Sequence, residues 1–255
     1  MTQEETLALS LSLQHCRGGN GPALARAIRE AGSLAALALQ LSGDAKENRK
    51  GSVQRESGPS FSTHSQLSKE QRALLAAETP NAKQKSDQKQ HSRLIQRDLE
   101  WSTQEGCTLL CYDSAGYPAQ LRETDCPPLL LYVRGSVDAL SRRQLAIVGS
   151  RRASDYGKRN AYWMARELSA AGISICSGLA LGIDAQAHVG ALDAVASGNP
   201  DVAPTVAVIG TGIDRIYPAR HAALSEKIAA GGALVSEFPL GTLAYPYNFP
   251  RRNRL

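Results

Sequence analysis

At 255 residues, with 42% hydrophobic and 5% aromatic residues, the chain can bury one sizeable core and a smaller one beside it. A net charge of +5 is a mild basic excess that points only weakly to nucleic acid. Five cysteines, odd in number and without a Cys-x-x-Cys pair, read as reduced thiols of a cytoplasmic protein, and a zinc site would need distant partners for Cys107 and Cys111. The acidic start Met1-Thr2-Gln3-Glu4-Glu5 is unlike a signal peptide, and no apolar run approaches the roughly 20 residues of a membrane span.

Residues 1–41 read as a small helical domain. The Ala/Leu-rich stretch 23–41 favours helix, and Cys16-Arg17-Gly18-Gly19-Asn20-Gly21-Pro22 is a glycine-rich turn with Pro22 suited to a helix start. Two readings stay open: a SAM-like or helix-hairpin-helix-like module presenting backbone N–H groups to DNA phosphates, or a packing domain with a tight turn. Residues 42–93 are dominated by Ser, Gln, Lys, Asn and Gly, and read as a largely disordered linker with a helical turn or two near 68–77.

From 94 to 255 the pattern is α/β. A helix over 94–105 is followed by strands at 108–112 and 129–133, with Pro127-Pro128 between them. A regular alternation then follows: strand 145–149, helix 154–171, strand 173–177, helix 184–196, strand 205–210, helix 219–230, strand 233–236. Ser154 is a good N-cap, and Gly172 and Gly231 suit helix C-termini. Val/Ile strands between helices of this length predict a Rossmann-like doubly wound parallel sheet, with its ligand at the carboxyl ends of the strands.

Those ends carry the informative turns. Gly149-Ser150-Arg151 lacks the second glycine of a dinucleotide fingerprint, and Gly210-Thr211-Gly212-Ile213-Asp214-Arg215 has Arg where its third glycine belongs. No Walker A loop is present. What remains is a strand–turn–helix offering N–H groups with Arg151 beside them, which suits a phosphate, or else is a plain turn with a surface arginine. Asp184 and His188, at i and i+4, read as an internal hydrogen bond bracing a helix start before they read as a metal or general-base pair. Glu237 is the other carboxylate at this edge.

These stretches form an ordered series. Val-Gly-Ser-Arg with Ala153-Ser154-Asp155-Tyr156-Gly157 is followed by Ser177-Gly178-Leu179-Ala180-Leu181-Gly182-Ile183-Asp184 with Ala187-His188. Gly-x-Gly-x-Asp-x-x-Tyr217-Pro218, Ser236-Glu237-x-Pro239 and Phe249-Pro250-Arg251-Arg252-Asn253-Arg254 complete it. The set resembles the DNA-processing protein DprA (Smf) family across 94–255. The resemblance implies a non-catalytic protein without a cofactor that binds incoming single-stranded DNA in natural transformation and loads the RecA recombinase, with a homodimer as a further expectation. It implies a phosphate pocket from Gly149, Ser150 and Arg151, with further basic contacts from Arg220, Arg251 and Arg254. Tyr217, Tyr245, Tyr247 and Phe249 are either stacking faces for bases or core.

Departures from the pattern are Leu181 and Ala219, where relatives often carry a basic residue. The sequence stops just inside the last motif, and the expectation is a truncated product or fragment whose sheet lacks later strands that contribute to dimerisation and RecA contact in the family. Two other readings stand beside the DNA-binding one. One is a nucleotide-processing enzyme like the lysine-decarboxylase-like phosphoribohydrolases, whose Pro-Gly-Gly-x-Gly-Thr-x-x-Glu stretch the chain lacks; the other is a non-functional remnant.

Overall fold

The computed structural model describes residues 2–15, 22–49, 67, 71–72 and 84–255. The glycine-rich turn at 16–21 and most of the helical turn expected at 68–77 lie outside the described residues. The chain divides into two compact units, one of Met1–Glu100 with Cys111–Leu130, the other of Trp101–Leu110 with Leu131–Leu255.

The first unit contains helices α1 (Gln3–His15), α2 (Pro22–Ala31), α3 (Leu34–Arg49), most of α4 (Gln84–Ser102) and the single turn α5 (Ala119–Arg122). α3 continues to Arg49 and α4 begins at Gln84, inside the stretch whose composition reads as linker; Gln, Lys, Glu and Arg are polar but good helix formers. Leu11, Leu13, Leu24, Leu34 and Leu37 are fully buried and form the helical core. At the start of α3 the Asp113 carboxylate accepts a hydrogen bond from the Leu34 amide (3.1 Å) and the Ser33 hydroxyl accepts one from the Ala36 amide (2.9 Å). His15 and Asp98, both buried, meet at 2.8 Å.

The second unit is built on a six-stranded sheet of order β1-β2-β6-β5-β4-β3. The strands are β1 (Cys107–Cys111), β2 (Leu130–Gly135), β3 (Gln144–Ala146), β4 (Ser174–Ser177), β5 (Thr205–Val208) and β6 (Ala233–Ser236). β3 to β6 are mutually parallel, as their β-strand–helix alternation predicts, and β2 joins β6 antiparallel. Between the parallel strands run α6 (Asp155–Ala170), α7 (Ile183–Val195) and α8 (Ala222–Gly231). Each crossover steps one strand in the same direction, so right-handed connections set these helices on one face of the Rossmann-like layer.

Register and burial agree with that layering. Ile175 packs with Ala165 of α6 and Ala187 and Ala191 of α7. Its register partner Thr205 on β5 meets His188 of α7 at 2.8 Å. α6 and α7 pack closely because Gly190 has no side chain: a Cβ there would lie 2.1 Å from the Tyr162 carbonyl oxygen. β5 and β6 are buried along their length, whereas β3 is an exposed edge. The carboxyl ends of β3 to β6 therefore lie along one rim, and the last helix, α9 (Asn248–Arg252), closes it.

Candidate nucleic-acid interface

The β3 turn is fixed mainly by backbone. The Ser150 hydroxyl accepts from the Arg152 amide (3.1 Å), and the Ser150 carbonyl accepts from the Ile183 amide (3.3 Å). Gly182, at φ +79°, sits where a Cβ would come 2.2 Å from that same carbonyl oxygen. A Cβ on Gly149 would lie 2.7 Å from the Ile183 side chain. Two neighbouring strand-end turns thus touch through glycine, and Ser150 and Arg151 face solvent. Ser154 caps α6 by accepting from the Gly157 amide at 3.2 Å, so one N–H of that helix start is already spent inside the protein.

Asp184 and His188 are engaged separately. The Asp184 carboxylate accepts from the amides of Gly178 (3.1 Å) and Ala180 (3.4 Å), holding the β4 turn in which buried Leu179 takes φ +57°. His188 Nδ1 meets Thr205 instead. The bracing bond between the two that their spacing suggests is replaced by bonds to different elements. Helical side chains lean toward the N-terminus, which brings Asp184 to the loop while His188, a turn later, faces the sheet. Burial, chiefly, with the neighbouring His221 and Arg252 adding to it electrostatically, lowers the His188 pKa from 6.5 to about 3 and keeps the ring neutral.

Beyond β5 and β6 lie the arginines. Arg252 of α9 is buried and donates to the carbonyls of Gly178 (2.8 Å) and Val208, joining the ends of β4 and β5, and its Nε donates to Asn253 (3.0 Å). Sequence reasoning selects its neighbours Arg251 and Arg254 and misses it. The available signal is its i, i+4 spacing from Asn248, which sets both on one face of a short helix. Arg251 and Arg254 both donate to Glu237, whose side chain is fully buried, Arg251 at 3.3 Å. Burial raises the Glu237 carboxyl pKa above its ordinary 4.5, and the two guanidiniums, Arg254 first, pull it back down.

Arg151, across the rim, lies over Phe249 with its guanidinium 5.6 Å from the ring centroid. Phe249 also packs against Tyr217 (5.6 Å between centroids) and over Gly210, where a Cβ would come 2.9 Å from the ring. Phe249 is thus a packing residue, while Tyr217 stays about half exposed. Tyr245 and Tyr247 are exposed and stacked on each other, 5.4 Å apart and 4° from parallel. Arg220 is exposed on the turn after Pro218, and its neighbour His221 reaches the Leu179 carbonyl at 2.9 Å. Of the expected site residues, Gly149, Ser150 and Arg151 form one turn, which α9 joins through Phe249. Arg251 and Arg254 share one carboxylate. Arg220 rises from the same rim without a described contact to either group.

A parallel α/β layer whose strand ends are gathered by small-residue turns and an arginine-bearing helix places the chain in the class of Rossmann-like proteins. Residues 108–255 match the family described as DNA recombination-mediator protein A, and the chain belongs to that family. Over 162 residues it is 44% identical to protein Smf of Escherichia coli K12, a match covering 63% of this chain and 41% of that protein. It is 32% identical over 162 residues to DNA processing protein DprA of Bacillus subtilis, covering 63% and 52%. The crystal structure of DNA processing protein A from Streptococcus pneumoniae superposes with a TM-score of 0.56 at 29% identity, covering 72% of this chain and 60% of that one. The chain thus spans less than two thirds of each of these relatives. Among the described residues, no helix is long and apolar enough to cross a membrane.

Proposed function

We propose that this protein binds single-stranded DNA by its phosphates along the strand-end rim, without catalysing a reaction, and passes it to the RecA recombinase in DNA uptake and recombination. The observation that carries the reading is the arginine arrangement at the rim: Arg151 exposed over Phe249, and Arg251 and Arg254 anchored from behind by buried Glu237. Guanidiniums held in this way lose little side-chain freedom on gripping a phosphate, and a cationic track suits a single strand better than a base-reading groove does. The family's description as a recombination mediator supports RecA as the recipient. Self-association into a homodimer is part of the same reading, and sedimentation checks it.

A catalytic role has less to draw on. The carboxylate and imidazole nearest a catalytic pairing, Asp184 and His188, are committed to loop amides and to Thr205. The test is fluorescence anisotropy of a labelled oligothymidylate across a salt series, with Arg151→Ala and Arg254→Gln beside the parent. Affinity should fall with salt at a logarithmic slope of roughly −0.7 per phosphate contacted, and each variant should bind more weakly with a shallower slope. Salt-independent binding, or parent-like binding by both variants, overturns the reading.

A further inference from the structure

The geometry points to a second, separate stretch of the strand's path: the outer face of α6, a ladder of alternating cations and aromatic rings that takes single-stranded nucleic acid as it leaves the strand-end rim. The inference rests on the strand-binding reading above and extends it to a helix that carries none of the residues assigned there.

α6 buries Ala161, Ala165 and Ser169 toward the sheet. At 100° per residue, Tyr156 and Trp163 lie about 180° and 160° around the helix from the centre of that stripe, at the pole facing away from the core. They are 69% and 51% exposed. Seven residues apart, they stand about 10.5 Å from each other along the axis, almost in line. No strand added to the sheet reaches that pole, because it faces away from the layer. Two large rings in water on a chain with so few aromatics call for an occupant with flat faces.

The cations set the occupant's charge. Arg152 in the preceding turn, Arg159 between the rings and Arg166 beyond them give the order Arg152, Tyr156, Arg159, Trp163, Arg166. The Arg166 guanidinium lies over the Trp163 ring, 5.2 Å from its centroid, and Tyr162 meets the same ring edge-on at 5.3 Å, so the indole is held in place. The acidic residues on this stretch are matched locally: Asp155 by Lys158 (3.1 Å) and Glu167 by Arg166 (3.4 Å). Arg152 and Arg159 are exposed and form no ion pair among the described residues. Rings for bases beside the uncompensated guanidiniums of Arg152 and Arg159 for phosphates are the recognition chemistry of a single strand. The ladder starts beside Arg151, so one strand passes from the rim onto the helix.

The test uses the full chain with labelled dT6 and dT20, the first short enough to occupy the rim alone. The parent should show quenching of Trp163 emission by dT20 that saturates together with the anisotropy, since the other tryptophan, Trp101, is buried. Trp163→Ala should weaken dT20 roughly tenfold, and Arg159→Gln should flatten its salt slope by about 0.7. Both should leave dT6 unchanged and, being at exposed positions, leave the melting temperature unchanged, whereas Arg151→Ala weakens both oligonucleotides. Parent-like dT20 binding by both α6 variants, with Arg151→Ala still impaired, overturns the ladder and leaves the rim reading standing. Loss in the α6 variants with Arg151→Ala unimpaired keeps the ladder and removes the rim. Absence of binding by the parent removes both. A change in sedimentation without a change in dT20 affinity would assign this face to a second copy of the chain and overturn the proposal.

Discussion

The Arg151 guanidinium stands over the Phe249 ring, 5.6 Å from its centroid, although 98 positions separate the two residues in sequence. This contact joins the β3 turn to the closing helix α9 and gives one of the rim's exposed cations an apolar floor. Phe249→Ala should therefore weaken single-strand binding by about the value of an exposed cation–π contact, two- to fivefold, with the salt slope unchanged because no charge is lost. Arg151→Ala should also reduce the slope by about 0.7. Anisotropy titrations at four or more salt concentrations separate the two outcomes.

Arg252 should matter for stability more than for binding. Its guanidinium is buried and satisfies two carbonyls at the ends of β4 and β5. Arg252→Met should cost about 3 kcal/mol or more, from lost charge-assisted hydrogen bonds and carbonyls left unsatisfied. Urea unfolding should show this as a lower midpoint at constant m-value. A midpoint within error of the parent would contradict the keystone role.

Gly182 allows the β3 and β4 turns to meet. With φ +79° and no room for a Cβ beside the Ser150 carbonyl, Gly182→Ala should displace the Ser150-Arg151 turn and strain its own backbone. A loss of about 1–3 kcal/mol is expected. Binding should remain weaker than the parent's at temperatures where both are fully folded; equal binding there would mean the turn does not depend on this contact.

His188 should give the fold a measurable acid sensitivity. Its pKa is lowered from 6.5 to about 3, so below pH 6.5 the unfolded chain binds a proton that the native ring refuses. The stabilisation is complete above 6.5 and is lost as pH falls toward 3, at about 1.4 kcal/mol per unit. His188→Asn should be less stable at pH 7 but show a flatter profile on the acid side. Glu237 acts in the opposite sense. Its raised carboxyl pKa makes the native state the better proton acceptor, so its contribution is present in acid and fades as pH rises through the native value. Glu237→Gln should accordingly steepen the acid loss, which stability curves from pH 4 to 7.5 would register.

The sequence by itself determined the parallel alternation from β3 to β6, the Ser154 cap, and the location of the informative turns at the strand ends. These are local properties: apolar runs, glycine placement and capping side chains act within a few residues of where they are written. The resemblance carried by those turns singled out Gly149, Ser150, Arg151, Arg220, Arg251 and Arg254 as a set, whereas the residues alone left Ser150 and Arg151 open between a phosphate turn and a plain one. Only the tertiary structure decided what each of them does. Arg251 and Arg254 converge on Glu237, Arg252 rather than either neighbour turns inward to the β4 and β5 carbonyls, and Asp184 and His188 find separate partners. Adjacent residues on a short helix point in different directions, and which carbonyl or carboxylate each one meets depends on strands brought alongside by long-range packing, a relation that spacing along the chain does not encode.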